Sequence, residues 1–266
     1  MIEPSNIAIL TTVANFDLYS KSSVYFPKDI KKYVIDGTNG MHGIHSILYM
    51  MQKLKGRGID WLIMADEDVL FTKSNLVFDI IEEMRQKDYT VCGVRDGGVL
   101  SHRIYNPFVI NTFFSIIKFS EIEKIWDASE VLNNQYILSD EFVDDLKNVK
   151  GNYNKHSLFE PYYCFYFWLR RKNKKILFLE AGMLEDSLSN SVSYNNEVFL
   201  IHTWYARSYL KNEKHTKRID KILVSLKSNE MLGTENELPQ IFKNKTFWLE
   251  SKIKKIQRKV LHKFKK

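Results

Sequence analysis

The segment DWLIMADEDVLF, residues 60–71, holds the densest chemical potential in the chain. An apolar run ends there in Asp66-Glu67-Asp68, and acids two positions apart at the carboxyl edge of a buried strand can both reach a divalent cation beyond the sheet. Such an ion neutralises a diphosphate and stabilises it as a leaving group. The structural alternative is an acidic turn capping the helix expected after Phe71. A second cluster lies in FLIHTWYARSY, residues 199–209, where His202 leaves a strand and is followed by Trp204, Tyr205 and Arg207. Imidazole suits a divalent transition metal, the rings offer a stacking face, and the guanidinium matches a diphosphate. A third is HSLFEPYYCFYFWLRRKNKKILFLEA, residues 156–181, which sets Glu160 ahead of Pro161 at a helix start, a place where the helix dipole alone favours an acid. Weaker candidates are His42 and His45 on a helix surface, Arg95, Asp96 and the Gly97-Gly98 turn at a strand end, and His102, Arg103 and Asn106 to Asn111 as part of a ligand-facing wall.

The elements that must position these groups follow from periodicity. Asn6 to Val13 reads as a buried strand, Lys32 to Ile35 as a second, and Trp61 to Ala65 as a third. Between them, residues 41–55 have helical apolar spacing and stop at Gly56-Arg57-Gly58. Residues 74–87 predict an amphipathic helix with Ser74 as N-cap, followed by a strand at Thr90 to Val94. A helix over 162–172, a strand at Lys175 to Leu179 and a short strand at Val198 to His202 complete the pattern, while 107–126 is irregular and 127–156 is polar and acidic. Strands alternating with helices predict an α/β domain with a mostly parallel sheet flanked by helices. No linker composition divides it, so residues 1–244 read as one catalytic domain, with 1–105 and 106–210 as its two halves.

Composition narrows the class. The chain has 266 residues, 44% of them hydrophobic and 27% charged, which allows a sizeable core and argues against disorder. The net charge of +7 is concentrated in residues 245–266, where nine Lys or Arg face one acid, Glu250, so the body is close to neutral and a nucleic-acid binder is not expected. In that tail Trp248, Leu249, Ile253, Ile256, Val260 and Phe264 recur at helical spacing, predicting a basic amphipathic helix that lies on an anionic membrane surface, or one that packs on the body. Glu3 and the short apolar run after it lead us to expect no secretory leader, and the longest apolar stretches are too short to span a bilayer. Cys92 and Cys164 have no Cys-x-x-Cys spacing, which fits a reducing cytoplasm. The expected location is cytoplasmic, peripheral on the inner face of the membrane.

Over residues 5–205 this organisation resembles the nucleotide-diphospho-sugar glycosyltransferases of the GT-A fold, of the kind that build bacterial surface polysaccharides. The resemblance implies that Asp66 and Asp68 hold Mn²⁺ or Mg²⁺, Asp68 as the direct ligand, with Glu67 between them at the donor. It implies a nucleoside at Thr11, Thr12, Val13 and Asp36, a sugar contact at Arg95, a diphosphate contact at Arg207, and His202 as a third metal or diphosphate ligand. Glu160 occupies the place of the base in inverting members, although Glu-Pro stands here where many relatives have Glu-Asp. Asp140, Glu141 and Asp186 are its rivals. The implied reaction is metal-dependent transfer from a UDP-sugar to a glycan acceptor, lipid-linked, in synthesis of a capsule, O-antigen or exopolysaccharide.

Two other classes compete. A phosphohydrolase resembling the haloacid dehalogenase superfamily would use Asp66 as nucleophile and Asp68 as acid and base, but no later apolar strand ends in Gly-Asp. A non-catalytic membrane adaptor would bind no nucleotide in a metal-dependent way. Gly-x-Gly-x-x-Gly, P-loop, Gly-x-Ser-x-Gly and His-Glu-x-x-His motifs are absent from the sequence.

Overall fold

The computed structural model describes residues 4–100, 103–147, 149, 151–227 and 238–249. In chain order the first half holds β1 (Ile7–Val13), α1 (Phe16–Ser22), β2 (Lys31–Asp36), α2 (Ile44–Leu54), β3 (Trp61–Ala65), β4 (Val69–Phe71), α3 (Leu76–Lys87) and β5 (Val91–Arg95). The second half holds β6 (Ile110–Lys118), α4 (Phe119–Ile125), α5 (Ala128–Leu132), α6 (Tyr163–Arg171), β7 (Ile176–Met183), β8 (Asn190–Tyr194), β9 (Glu197–His202), α7 (Glu213–Lys227) and β10 (Gln240–Phe242).

Alternate side chains of the central strands divide between two cores, as a pleated strand requires. Ile7, Ile9 and Val13 of β1 and Trp61, Ile63 and Ala65 of β3 join one cluster, which α1, α3 and α7 cover with Leu18, Ile80, Met84, Ile219 and Leu223. Ala8, Leu10, Leu62 and Met64 join the other, covered by α2, α4, α5 and α6. Every residue of α6 from Tyr163 to Leu169 is buried, so that helix is apolar all round and polar only where Arg170 and Arg171 end it.

The ten strands run in the order β10-β2-β1-β3-β6-β5-β7-β8-β9-β4. This is a mixed α/β architecture with helices on both faces, consistent with the GT-A organisation anticipated above. Among the described residues four of the nine strand pairings are parallel, those within β10-β2-β1-β3 and β5-β7, so the sheet is mixed rather than the mostly parallel one expected, because β6 runs against both β3 and β5. Antiparallel pairing then carries the sheet through β7, β8 and β9 to β4. The reversal of β6 brings its first residues to the edge where β1 and β3 end.

Several expectations shift in detail. The helix over 74–87 starts at Leu76, and Asn75 rather than Ser74 precedes it, without a side-chain cap. Between Asp68 and that helix stands β4, so the acidic triplet does not cap α3. α2 ends at Leu54, and Gly56 and Gly58 follow with φ of 79° and 71°, backbone that glycine tolerates. Among the described residues no helix is long and apolar enough to cross a membrane. Of the basic tail, residues 250–266 lie outside the described residues, as does His102.

Candidate functional site

The ends of β1 and β3, the start of β6, the first turn of α2 and the segment after β9 enclose a cavity of about 570 Å³. Carboxyl ends of parallel strands leave backbone and loops free to meet a ligand, which is why sites in such sheets gather there. Asp66, Glu67 and Asp68 line it, and their turn is pinned on two sides. Asp66 N donates to Phe113 O at 2.9 Å, and Thr203 N donates to Asp68 O at 3.0 Å. The short β4 pairs Val69 with His202, which sets His202 Nε2 3.2 Å from Asp68 Oδ1.

Each acid meets a different environment. Glu67 Oε1 accepts from Ala14 N at 2.8 Å and Asn15 N at 3.0 Å, tying the acidic turn to the end of β1. Burial, then the Asp68 charge, raises the Glu67 carboxyl above its usual range, against the pull of these backbone donors. Asp66 is raised well above that range, by desolvation first and then by Asp68 and Glu67, while Arg207 opposes the rise. Concentrated negative charge with one opposing guanidinium is a site that attracts a cation.

His202 is buried between Phe113 and Trp204, each ring centroid 4.2 Å from its own, and its Nδ1 has no hydrogen-bond partner. Among the described residues no three His, Cys, Asp or Glu side chains form a metal cage. The residues present still fit a divalent ion of the Mg²⁺ type, which is commonly held by one or two carboxylates together with substrate phosphates. Asp66 and Asp68 supply those carboxylates, and the partnerless nitrogen of His202 marks an unfinished polar environment beside them.

On another wall stands Glu160, whose Oε1 receives Arg103 Nη2 at 3.1 Å. Arg103 is held in turn by Asp96, with Nε on Oδ1 at 2.6 Å and Nη2 on Oδ2 at 3.1 Å. Asp96 is 0% exposed and also accepts from Asn111 Nδ2 at 2.6 Å, from the Tyr162 hydroxyl at 3.1 Å and from the Tyr163 hydroxyl. The network joins β5, β6 and α6 at one carboxylate. Asp96 was singled out in the sequence only as a strand-end acid, and nothing local reveals the role of Asn111, Tyr162 and Tyr163, because their convergence is purely tertiary.

The remaining candidates separate. Of Thr11, Thr12 and Val13, only Thr12 lines the cavity, since Thr11 is buried with its hydroxyl unpartnered and Val13 is in the core. Asp36 lies off the cavity, bound by Lys243 Nζ at 2.6 Å and Thr38 N at 3.0 Å; burial would raise it, yet these bonds hold it below its usual range. Arg207 and His42 line the cavity, whereas His45 packs on Phe247. Arg95 is outside the wall, bonded to Asp144 Oδ2 at 2.8 Å and stacked 3.5 Å above Phe178. Asp140 is exposed, Glu141 is paired with Arg171 at 2.6 Å, and Asp186 caps the β7–β8 turn through Ser189 N at 2.7 Å while meeting Arg218 at 3.2 Å. Of the four acids considered as base, the structure brings Glu160 alone to the cavity.

No protein-family model matches the sequence, and no curated protein does. Solved structures with a similar arrangement include the mannosyltransferase PcManGT from Pyrobaculum calidifontis in complex with GDP-Man and Mn²⁺, at TM-score 0.34 and 10% identity over 47% of this chain and 48% of that one. Mouse xyloside xylosyltransferase 1, apo form, aligns at TM-score 0.35 and 10% identity, over 66% and 84% of the two chains. The glycosyltransferase GlyE of Streptococcus pneumoniae TIGR4 aligns at TM-score 0.36 and 10% identity, over 84% and 64%. The chain therefore spans about half the length of the mannosyltransferase.

Proposed function

We propose that the protein is a metal-dependent glycosyltransferase that moves a sugar from a UDP-sugar to a glycan acceptor, with inversion. The observation that carries this reading is one cavity with Asp66, Glu67 and Asp68 beside His202 and Arg207, and with Glu160 fixed by Arg103 on another wall. Asp66 and Asp68, with His202 beside them, would hold Mn²⁺ or Mg²⁺, which would supply charge neutralisation at the departing diphosphate. Arg207 adds a second positive charge for that group. Thr12 and Ala14, at the end of β1, form the wall on which the nucleoside rests.

Glu160 takes the proton of the attacking acceptor hydroxyl, and the bond from Arg103 keeps its carboxylate aimed. Asp96, by gripping Arg103, holds that aim. The acceptor is a lipid-linked glycan of a surface polysaccharide, and the basic segment 245–266 brings the enzyme to the anionic inner face of the membrane where such an acceptor resides.

The test is UDP release from a panel of UDP-sugars with Mn²⁺, with Mg²⁺ and with EDTA, on the wild type and on Asp68→Ala. Metal-dependent release from one preferred donor, lost in the variant, supports the reading. Absence of both release and metal-dependent nucleotide binding on every donor overturns it.

A further inference from the structure

Beside Glu160 the surface carries a feature that donor binding leaves unexplained. Phe159 is 65% exposed, yet its ring is stacked on Tyr105, with centroids 4.7 Å apart and planes 16° from parallel. Arg103 lies 4.4 Å from the centre of the Tyr105 ring and bonds the Glu160 carboxylate. One guanidinium thus links the cavity wall to the aromatic pair. An exposed aromatic side chain usually wanders; this one is seated on a second ring that a cation braces.

The backbone around it is equally fixed. Gln135 Nε2 donates to Leu158 O at 3.1 Å and Glu160 O at 3.0 Å, gripping the carbonyls on either side of Phe159. Asn106 Nδ2 donates to Lys155 O at 2.9 Å and Ser157 O at 3.1 Å, and Asn154 N donates to Tyr105 O at 2.8 Å. Gly97 allows the approach from behind, since a Cβ there would meet Tyr105 O at 2.0 Å. Five hydrogen bonds therefore hold an apolar ring face outward, one residue from a carboxylate in the cavity.

We propose that Tyr105 and Phe159 form the acceptor subsite, on which a pyranose ring of the acceptor glycan stacks its C–H face while its hydroxyls meet Glu160 and Arg103. The inference rests on the glycosyltransferase reading above and names the surface that receives its acceptor. A sugar ring matches this surface because it is apolar on one face and hydroxylated at its rim, as the protein is apolar at Phe159 and charged at Glu160 and Arg103. A lipid tail would match the ring but not the adjoining charges. The neighbouring Asn154, Lys155, His156 and Ser157 are polar, which also disfavours insertion into a bilayer.

The experiment uses the full chain as wild type, Phe159→Ala, Phe159→Trp and Tyr105→Ala, with p-nitrophenyl glucoside, galactoside, mannoside and N-acetylglucosaminide as probes. UDP release is measured against glycoside and against donor concentration. Saturation-transfer NMR reads glycoside binding directly, and sedimentation with phosphatidylglycerol vesicles reads membrane contact. The expected result is a ratio of glycoside KM to donor KM at least tenfold higher in Phe159→Ala, near wild type in Phe159→Trp, with saturation transfer lost in Phe159→Ala. Glycoside KM and saturation transfer both within twofold of wild type in Phe159→Ala would overturn the proposal, as would a loss of vesicle binding with glycoside KM unchanged. If the wild type releases no UDP from any donor, the transferase reading fails on its own, and saturation transfer still decides the platform: glycoside binding lost in Phe159→Ala upholds a sugar site, and no binding to the wild type ends it.

Discussion

Asp68 Oδ1 and His202 Nε2 lie 3.2 Å apart because β4 pairs with the last strand of the antiparallel run, placing two residues from distant parts of the chain on one cavity wall. Replacing either should therefore reach the chemistry rather than the fold. Asp68→Ala and His202→Asn are each expected to lower UDP release by about 10²–10³-fold, the cost typical of losing one preorganised stabilising group. Steady-state kinetics at saturating donor, with near-UV circular dichroism to confirm an unchanged fold, checks this.

The cluster of acids makes a prediction of sign. Asp66 and Glu67 are raised in the folded protein, so the folded state binds more protons than the unfolded one. Stability should then fall as pH rises from about 4, the unfolded carboxylate range, through the raised values. A bound divalent cation offsets that loss, so Mn²⁺ should raise Tm more at pH 8 than at pH 5. Equal shifts at both pH values, or an equal shift in Asp68→Ala, would contradict the assignment.

Asp144 predicts the opposite slope. Burial would raise its carboxyl, but hydrogen bonds from Arg170 and Arg95 outweigh that and hold it below the usual range. Its contribution is present above the unfolded value of about 4 and is lost as pH falls through the lower folded value. Asp144→Asn should therefore destabilise at pH 7, and by progressively less as pH falls below about 4, as read from urea midpoints across that range.

Removing the carboxylate at the hub is expected to be costly. Asp96→Asn takes from Arg103, a largely buried cation, its two-point counter-charge and leaves it Glu160 alone, a loss of about 3 kcal/mol. Tyr163→Phe removes one hydrogen bond from the same carboxylate and should cost about 1–2 kcal/mol. Urea unfolding measures both.

Arg103→Met takes the cation from Glu160 and from the fully buried Asp96 together, so it should destabilise the fold by about 3–5 kcal/mol. In the molecules that remain folded, kcat should fall by up to about 10²-fold, the lower end of what a positioned base contributes. The donor KM should move little. An unchanged kcat at saturating donor and acceptor would mean that Arg103 acts elsewhere.

Much of the fold was legible in the sequence. β1, β3 and β5 are apolar runs of strand length, and α2, α3 and α6 show helical spacing or a Pro at the start, all of which are local signals. β6 leaves no local signal, because a strand buried on both faces has no alternation, and INTFFSIIK mixes aromatic and β-branched residues throughout. α7 did carry a signal: Ile219, Ile222, Leu223 and Leu226 are spaced three and four apart and all pack on the core. β4 and β10 have three residues each, too few for any period.

The chain's composition and order of residues determined that an apolar strand would end in Asp66-Glu67-Asp68, that Glu160 would stand just ahead of a buried helix, and that His202 would leave a late strand. Those are properties of neighbours in sequence, fixed by burial and periodicity over a few residues. Tertiary structure decided which of them meet. The reversal of β6, the pairing of β4 with β9, and the grip of Asp96 on Arg103 are contacts between distant segments, selected by packing on both sheet faces and by the need to pair every buried charge. For that reason the sequence offered four acids as base, and only the folded chain brings one of them to the cavity while seating Asp140, Glu141 and Asp186 elsewhere.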